Sequence, residues 1–275
     1  MFKRIIVPTD GSETAAVGVR YAVALAKRYE AQIMGVHVVD VKLLEGPFLQ
    51  DLSASLGTAP YVNYQGNIAM ILDERGQAAL EEVKRACAEA DVPCTTSLIT
   101  GIVPRAIVEQ AGLADLIVMG RGGEHIQWLE GVLGSTTEAV VRRAKQPVLV
   151  TSTDIGTHRS FLMAYDGTPH AKQALKSAVE IATDWAMSFR VLSVAPQSAK
   201  YLDEAREYLQ AHSVEVEYER REGDPGECIV ACARDMEADL IVMGAYGHSK
   251  VREFVVGSTT SYALNHAPCP VFLHR

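Results

Sequence analysis

No stretch of the 275 residues approaches the ~18 consecutive apolar residues of a membrane-spanning helix, so an α-helical membrane protein is not expected. The apolar run near the N-terminus, Ile5-Ile6-Val7 behind Lys3 and Arg4, stops at Pro8-Thr9-Asp10-Gly11 and is too short for a secretory signal. Cysteine is sparse. Cys87, Cys94, Cys228, Cys232 and Cys269 are odd in number and lack framework spacing, which argues against a disulfide-stapled fold. Cys228 and Cys232 stand four apart on an expected helix and read as small buried hydrophobes. A soluble chain in a reduced, cytoplasmic setting is the expectation. Positive charge is also in deficit: 26 Lys and Arg against 34 Asp and Glu give a net charge of -8. Such a chain repels a phosphodiester backbone, so nucleic acid is not an expected partner. A small anion is not excluded, because main-chain N–H groups can hold one locally.

Several catalytic and nucleotide signatures are missing too. There is no Gly-Lys pair, hence no Walker A loop, and Gly120-Arg121-Gly122 fails as Gly-x-Gly-x-x-Gly at His125. No His-Glu-x-x-His and no Gly-x-Ser-x-Gly occurs. The histidines show no metal-ligand spacing, so neither catalytic residues nor protein metal ligands are expected.

What the chain does have is itself, twice. Ala114-Asp115-Leu116-Ile117-Val118-Met119-Gly120 recurs 124 residues later as Ala238-Asp239-Leu240-Ile241-Val242-Met243-Gly244. Gly134-Ser135-Thr136-Thr137 recurs 123 residues later as Gly257-Ser258-Thr259-Thr260, and Pro147-Val148 recurs at that same offset as Pro270-Val271. The period exceeds that of solenoid repeats and indicates a duplicated domain. The expected units are 1–153 and 158–275, joined by the short polar stretch Thr151–Arg159. Asp10-Gly11 matches Asp166-Gly167 at the larger offset of 156, so the first unit carries about 33 extra residues. Val41–Gly66, with Gly46-Pro47, Gly57, Pro60 and Asn63 and little periodicity, reads as a long surface excursion, either decorative or a lid.

Short apolar runs alternate with amphipathic ones in each unit. Strands are expected at Arg4–Val7, Ile33–Val39, Thr95–Ile99, Leu116–Met119 and Val148–Val150, then at Phe161–Ala164, Arg190–Val194, Val214–Glu219, Leu240–Met243 and Val271–Leu273. Helices are expected at Glu13–Tyr29, Ile68–Ala90, Pro104–Ala111 and Ser135–Ala144, then at Pro169–Trp185, Lys200–His212, Pro225–Asp235 and Ser258–Asn265. Runs of Val, Ile and Leu mean strands buried on both faces, as in a parallel sheet, and the alternation implies right-handed crossovers. The expected fold class is α/β: two tandem, doubly wound, five-stranded parallel-sheet domains of Rossmann-like type.

Ligands of such sheets bind beyond the carboxyl ends of the strands, at the switch point. Two segments per unit reach that edge. One follows the first strand: Pro8-Thr9-Asp10-Gly11, and Ala164-Tyr165-Asp166-Gly167. Its Asp either receives a base or ribose donor or caps the next helix. The other follows the fourth strand: Met119-Gly120 with Gly123, then Gly134-Ser135-Thr136; and Met243-Gly244 with Gly247, then Gly257-Ser258-Thr259. Gly-Ser-Thr opening a helix offers amides, hydroxyls and the positive end of the helix dipole, a phosphate site by its physics; the alternative is a Ser/Thr cap without ligand.

The second-unit segment resembles the Gly-x2-Gly-x9-Gly-Ser/Thr pattern of ATP-binding universal stress proteins. The Asp after strand one and the Pro-Val strand ending each unit are similar to that family as well. The resemblance spans nearly the whole chain twice, leaving out Val41–Gly66. It implies an adenine nucleotide alpha hydrolase-like fold binding ATP, with Mg²⁺ as an accompanying ion on the phosphates. Asp166 and Val194 would border adenine and ribose; Gly244, Gly247, Gly257, Ser258 and Thr259 would wrap the phosphates, with His248 and Lys250 nearby. Asp10, Val38, Gly120, Gly123, Gly134, Ser135 and Thr136 are the first-unit counterparts. There ten residues instead of nine separate Gly123 from Gly134, and Glu124 follows Gly123, so the second site ranks above the first. The family implies pairing through the last strands, here Pro147–Val150 with Pro270–Leu273 inside one chain, and further association to a homodimer. The function it implies is a stress-response or signalling module. The alternatives are a protein-interaction scaffold with a degenerate first site, and a slow ATPase; no residue that would position water for hydrolysis stands out by spacing.

Overall fold

The structure, a computed structural model, describes residues 2–45, 61–123, 133–151, 159–194, 197–245 and 257–275. The first half runs β1 (Arg4–Pro8), α1 (Glu13–Tyr29), β2 (Gln32–Asp40), α2 (Val41–Glu45), α3 (Tyr61–Glu89), β3 (Cys94–Gly101), α4 (Val103–Gln110), a 3-10 turn (Ala111–Leu113), β4 (Leu116–Gly120), α5 (Ser135–Arg143) and β5 (Val148–Thr151). The second runs β6 (Ser160–Ala164), α6 (Pro169–Trp185), β7 (Ser188–Ser193), α7 (Ser198–Leu209), β8 (Val216–Arg220), α8 (Pro225–Asp235), β9 (Ile241–Gly244), α9 (Ser258–His266) and β10 (Val271–His274).

Strand alternation sorts the core into two layers. Ile5, Val7, Leu116 and Val118 face one side, with buried residues of α1, α3, α6 and α7. Ile6, Ile117, Met119, Val148 and Val150 face the other, with residues of α4, α5, α8 and α9. The central strands are thus covered twice, which is why their runs are continuously apolar, while the edge strands β3 and β8 stay part-exposed. The order is β3-β2-β1-β4-β5-β10-β9-β6-β7-β8 in one ten-stranded sheet. Every pairing inside a half is parallel, β1 lying between β2 and β4, and β6 between β7 and β9. The chain winds outward from β1 in one direction and then in the other, so β1/β4 and β6/β9 are the switch points.

The halves meet at a single antiparallel ladder, Val271 against Val150, Phe272 against Leu149 and Leu273 against Val148. Over this seam the Phe2 ring lies 5.4 Å from Tyr29 and 6.3 Å from Phe272. Trp185 Nε1 donates to the Tyr29 hydroxyl at 2.8 Å, and the Arg28 guanidinium sits 5.6 Å from the Trp185 ring. The last strands therefore pair within the chain as the resemblance implied.

Local signals explain most boundaries. Ser12 and Thr168 cap α1 and α6 by accepting from Ala15 N and Ala171 N, each at 3.2 Å. Asp224 caps α8 at 3.0 Å from Glu227 N, with Pro225 at its first position. The extra segment of the first half differs from its expected form. Val41–Glu45 is helical, and the following helix begins at Tyr61 rather than Ile68, so α3 has 29 residues against 12 in α7. Asn63 and Gly66 punctuate the sequence but do not break the helix, whose buried Ala79, Leu80, Val83 and Cys87 pack it onto β2 and β3. Tertiary burial outweighs a few tenths to ~1 kcal/mol of helix propensity. The remainder of the excursion, 46–60, lies outside the described residues.

Candidate functional site at the carboxyl edge of the sheet

At the first switch point the carboxyl ends of β1, β2 and β4 open onto a cavity of about 420 Å³. Its wall includes Pro8, Thr9 and Asp10 after β1, Val38 on β2, Met119, Gly120 and Gly123 after β4, and Gly134, Ser135 and Thr136 at the start of α5. All ten residues expected from the first half come together there. Asp10 does not cap α1, since Ser12 does. Its Oδ1 accepts from Ser12 N at 3.0 Å and from Ser12 Oγ at 2.6 Å. A β-carbon at Gly123 would stand 2.8 Å from Asp10 Oδ2, so the missing side chain lets the loop approach the carboxylate.

The starts of α5 and α9 differ from those of α1, α6 and α8. In α5 and α9 the N-cap is glycine, Gly134 or Gly257, and no side chain caps the helix. Ser135 and Ser258 are first-turn residues and not caps. Among the described residues no side chain takes up the first-turn amides, and the helix dipole adds positive potential there. Thr137 Oγ1, by contrast, turns inward to the Gly120 carbonyl at 2.9 Å and ties α5 to the end of β4. Gly120 is required by packing: a β-carbon would run into the Thr14 carbonyl of α1.

The comparisons with known proteins bear on this arrangement. The pattern described as "Universal stress protein family" matches residues 1–152 and again 157–275. The chain belongs to the universal stress protein family. It is 27% identical over 286 residues to universal stress protein Slr1230 of Synechocystis, covering 99% of this chain and 100% of that one. It is 36% identical over 153 residues to universal stress protein MJ0531 of Methanocaldococcus jannaschii, over 54% of this chain and 82% of the relative. The crystal structure of a universal stress protein from Archaeoglobus fulgidus superposes with a TM-score of 0.77 at 22% identity, covering 99% of this chain and 98% of that chain, and shares the fold. This is a tandem universal stress protein.

In the second half Ala164, Met243 and Gly244 end adjacent strands, with Ala164 opposite both Leu192 and Met243. Tyr165 and Asp166 follow, and Val194 lies just past β7. Asp166 repeats the Asp10 arrangement, accepting from Thr168 N at 3.0 Å and Thr168 Oγ1 at 2.6 Å. A β-carbon at Gly244 would stand 2.6 Å from Ala171 N, matching Gly120. Gly257, Ser258 and Thr259 open α9 as Gly134, Ser135 and Thr136 open α5. Gly247, His248 and Lys250, like Glu124 and His125 in the first half, lie outside the described residues. One difference stands at the turns: a β-carbon at Gly11 would meet Ala79, and at Gly167 the Tyr201 ring.

Sequence reasoning missed several wall residues of the first cavity: His37, Asp40, Leu43, Leu72, Arg75, Val103 and Ile107. Asp40 follows Val38 by two and shares its face of β2, a signal that was legible. Leu72 and Arg75 come from α3, far along the chain, and no local pattern foretells them. His37 Nδ1 carries its hydrogen toward the Thr9 carbonyl at 2.9 Å, since a carbonyl can only accept. Gly76 makes this possible, because a β-carbon there would collide with the imidazole. No helix of the described residues is long and apolar enough to cross a membrane.

Proposed function

We propose that the chain is a nucleotide-binding stress-response module that takes an adenine nucleotide of the ATP type at the carboxyl edge of its sheet. The observation that carries this is the joining of a 420 Å³ cavity to a helix start with glycine at the N-cap and no side-chain cap. Asp10 and Val38 would border ribose and base, and Gly120, Gly123, Gly134, Ser135 and Thr136 would surround the phosphates. Mg²⁺ would accompany the phosphates and neutralise charge next to Asp10. The repeated start of α9 supports a second site with Asp166, Val194, Gly244, Gly257, Ser258 and Thr259. The reading is of a binding protein: nucleotide tunes contacts or assembly, homodimers included, and turnover is not its task.

Calorimetric titration of the full chain with ATP and Mg²⁺ tests this. Binding is expected, and Ser135→Glu combined with Gly257→Val should weaken it at least about tenfold, about 1.4 kcal/mol. Glu suits a first helical turn but repels phosphate, and a β-carbon at Gly257 meets nothing within 4 Å. The absence of ATP binding by the native chain would end the reading.

A further inference from the structure

The ends of the first half's phosphate segment are not held by the first half alone. Leu133 N, next to Gly134, donates to Asn265 Oδ1 at 2.6 Å, and Asn265 lies in the last turn of α9. Arg121, directly after Gly120, donates from an Nη atom to the carbonyl of Ala267, the residue closing α9, at 2.8 Å. Arg121 Nε is buried without a hydrogen-bond partner. The Arg121 carbonyl meanwhile accepts from Gly134 N at 2.9 Å, joining the two ends to each other. One end of α9 therefore steadies the first site, while the other end is the uncapped start of the second.

The reverse link is built differently. The C-terminal carbonyls of α5, those of Arg142 and Ala144, accept from Arg275 at 3.1 and 3.4 Å. Arg275 follows β10 and belongs to no phosphate segment. The position equivalent to Arg121 in the second half is Ala245, buried at 2% exposure and without a side-chain donor. Among the described residues, the link from a phosphate segment to the other half's helix is seen for the first site.

We propose that Asn265, with Arg121, is a positioning residue of the second half for the first-half nucleotide site, and that α9 couples the two sites positively. This rests on the nucleotide-binding reading given above. A nine-residue helix with no N-terminal cap frays readily. An anion on its first-turn amides orders it and deepens the negative potential of its last carbonyls. Both effects fix Asn265 and Ala267, and through them Leu133 and Arg121. Linkage makes the gain mutual, each ligand tightening the other by the same factor.

Three forms of the full chain titrated calorimetrically with ATP and Mg²⁺ give the test: native, Ser135→Glu with the second site alone, and Gly257→Val with the first alone. The product of the two dissociation constants in the native chain should be about fivefold smaller than the product of the single-site values. Asn265→Leu, which leaves the Arg121 contact to the Ala267 carbonyl in place, should lower that ratio toward one without altering the second site measured alone. Asn265→Asp still accepts from Leu133 N but loses the donation of Nδ2 to the Ser261 carbonyl, and should keep more of the ratio than Asn265→Leu does. Two independent sites in the native chain, or an undiminished ratio in Asn265→Leu, would overturn the coupling alone. No ATP binding by the native chain would overturn the coupling and the functional reading together.

Discussion

At the scale of single residues, the site is framed by groups with separable roles. The hydroxyls of Ser12 and Thr168 serve both as helix caps and as donors to Asp10 and Asp166. Ser12→Ala and Thr168→Ala should each cost about 1 kcal/mol in urea denaturation, and should each remove the hydroxyl bond to Asp10 or Asp166 while the backbone N–H bond stays. Gly244→Ala forces a β-carbon against the α6 backbone and should destabilise by about 2 kcal/mol, whereas Gly257→Ala should stay within about 0.5 kcal/mol. Burial lowers the pKa of His274 below the ordinary histidine value, with His170 adding to the shift. The unfolded chain therefore takes up a proton there before the folded one does. This stability is fully present above about pH 6.5 and is lost as the pH falls through the lowered value. Urea midpoints at pH 7.5 and 5.5 should differ less in His274→Gln than in the native chain. Arg121 was read only as part of a failed glycine motif. Its actual partner, the Ala267 carbonyl, is 146 residues away, and no spacing could have announced it.

Among the elements, legibility followed local determinants. α1, α6 and α8 ended where cap, apolar stripe and terminal signals agreed, and their sequence bounds match the structure. α3 did not, because its first turns read as a loop and its burial against β2 and β3 is a long-range fact. Leu72 and Arg75 fall inside the expected helix, but their place in the cavity wall is part of the same long-range fact. The strand-end residues of the site were legible, because β4 and β9 are continuously apolar, buried runs that stop at a glycine. In the proposed reading the starts of α5 and α9 hold the phosphates. Ser135→Glu places an acid where the helix dipole favours it. Its thermal midpoint should therefore equal or exceed that of the native chain while nucleotide affinity falls. A fall in stability of the same size would mean instead that Ser135 is structural.

For the molecule as a whole, the duplication was plain in the sequence, but its use was not. Two parallel half-sheets become one sheet of ten strands through the three-residue ladder of β5 with β10. Both core layers run through the seam, so the halves should unfold together. A single calorimetric transition is expected, and Phe272→Ala, at 2% exposure, should lower the stability of the whole chain by about 3–5 kcal/mol. Two separate transitions, with only one moved by that change, would contradict a shared core. The central claim concerns the first-turn amides of α5 and α9, and hydrogen exchange read residue by residue addresses it directly. With saturating ATP and Mg²⁺, exchange at Ser135, Thr136 and Thr137, and at Ser258, Thr259 and Thr260, should slow at least about tenfold. Unchanged exchange at both helix starts in protein that has bound ATP would place the nucleotide elsewhere and contradict the account.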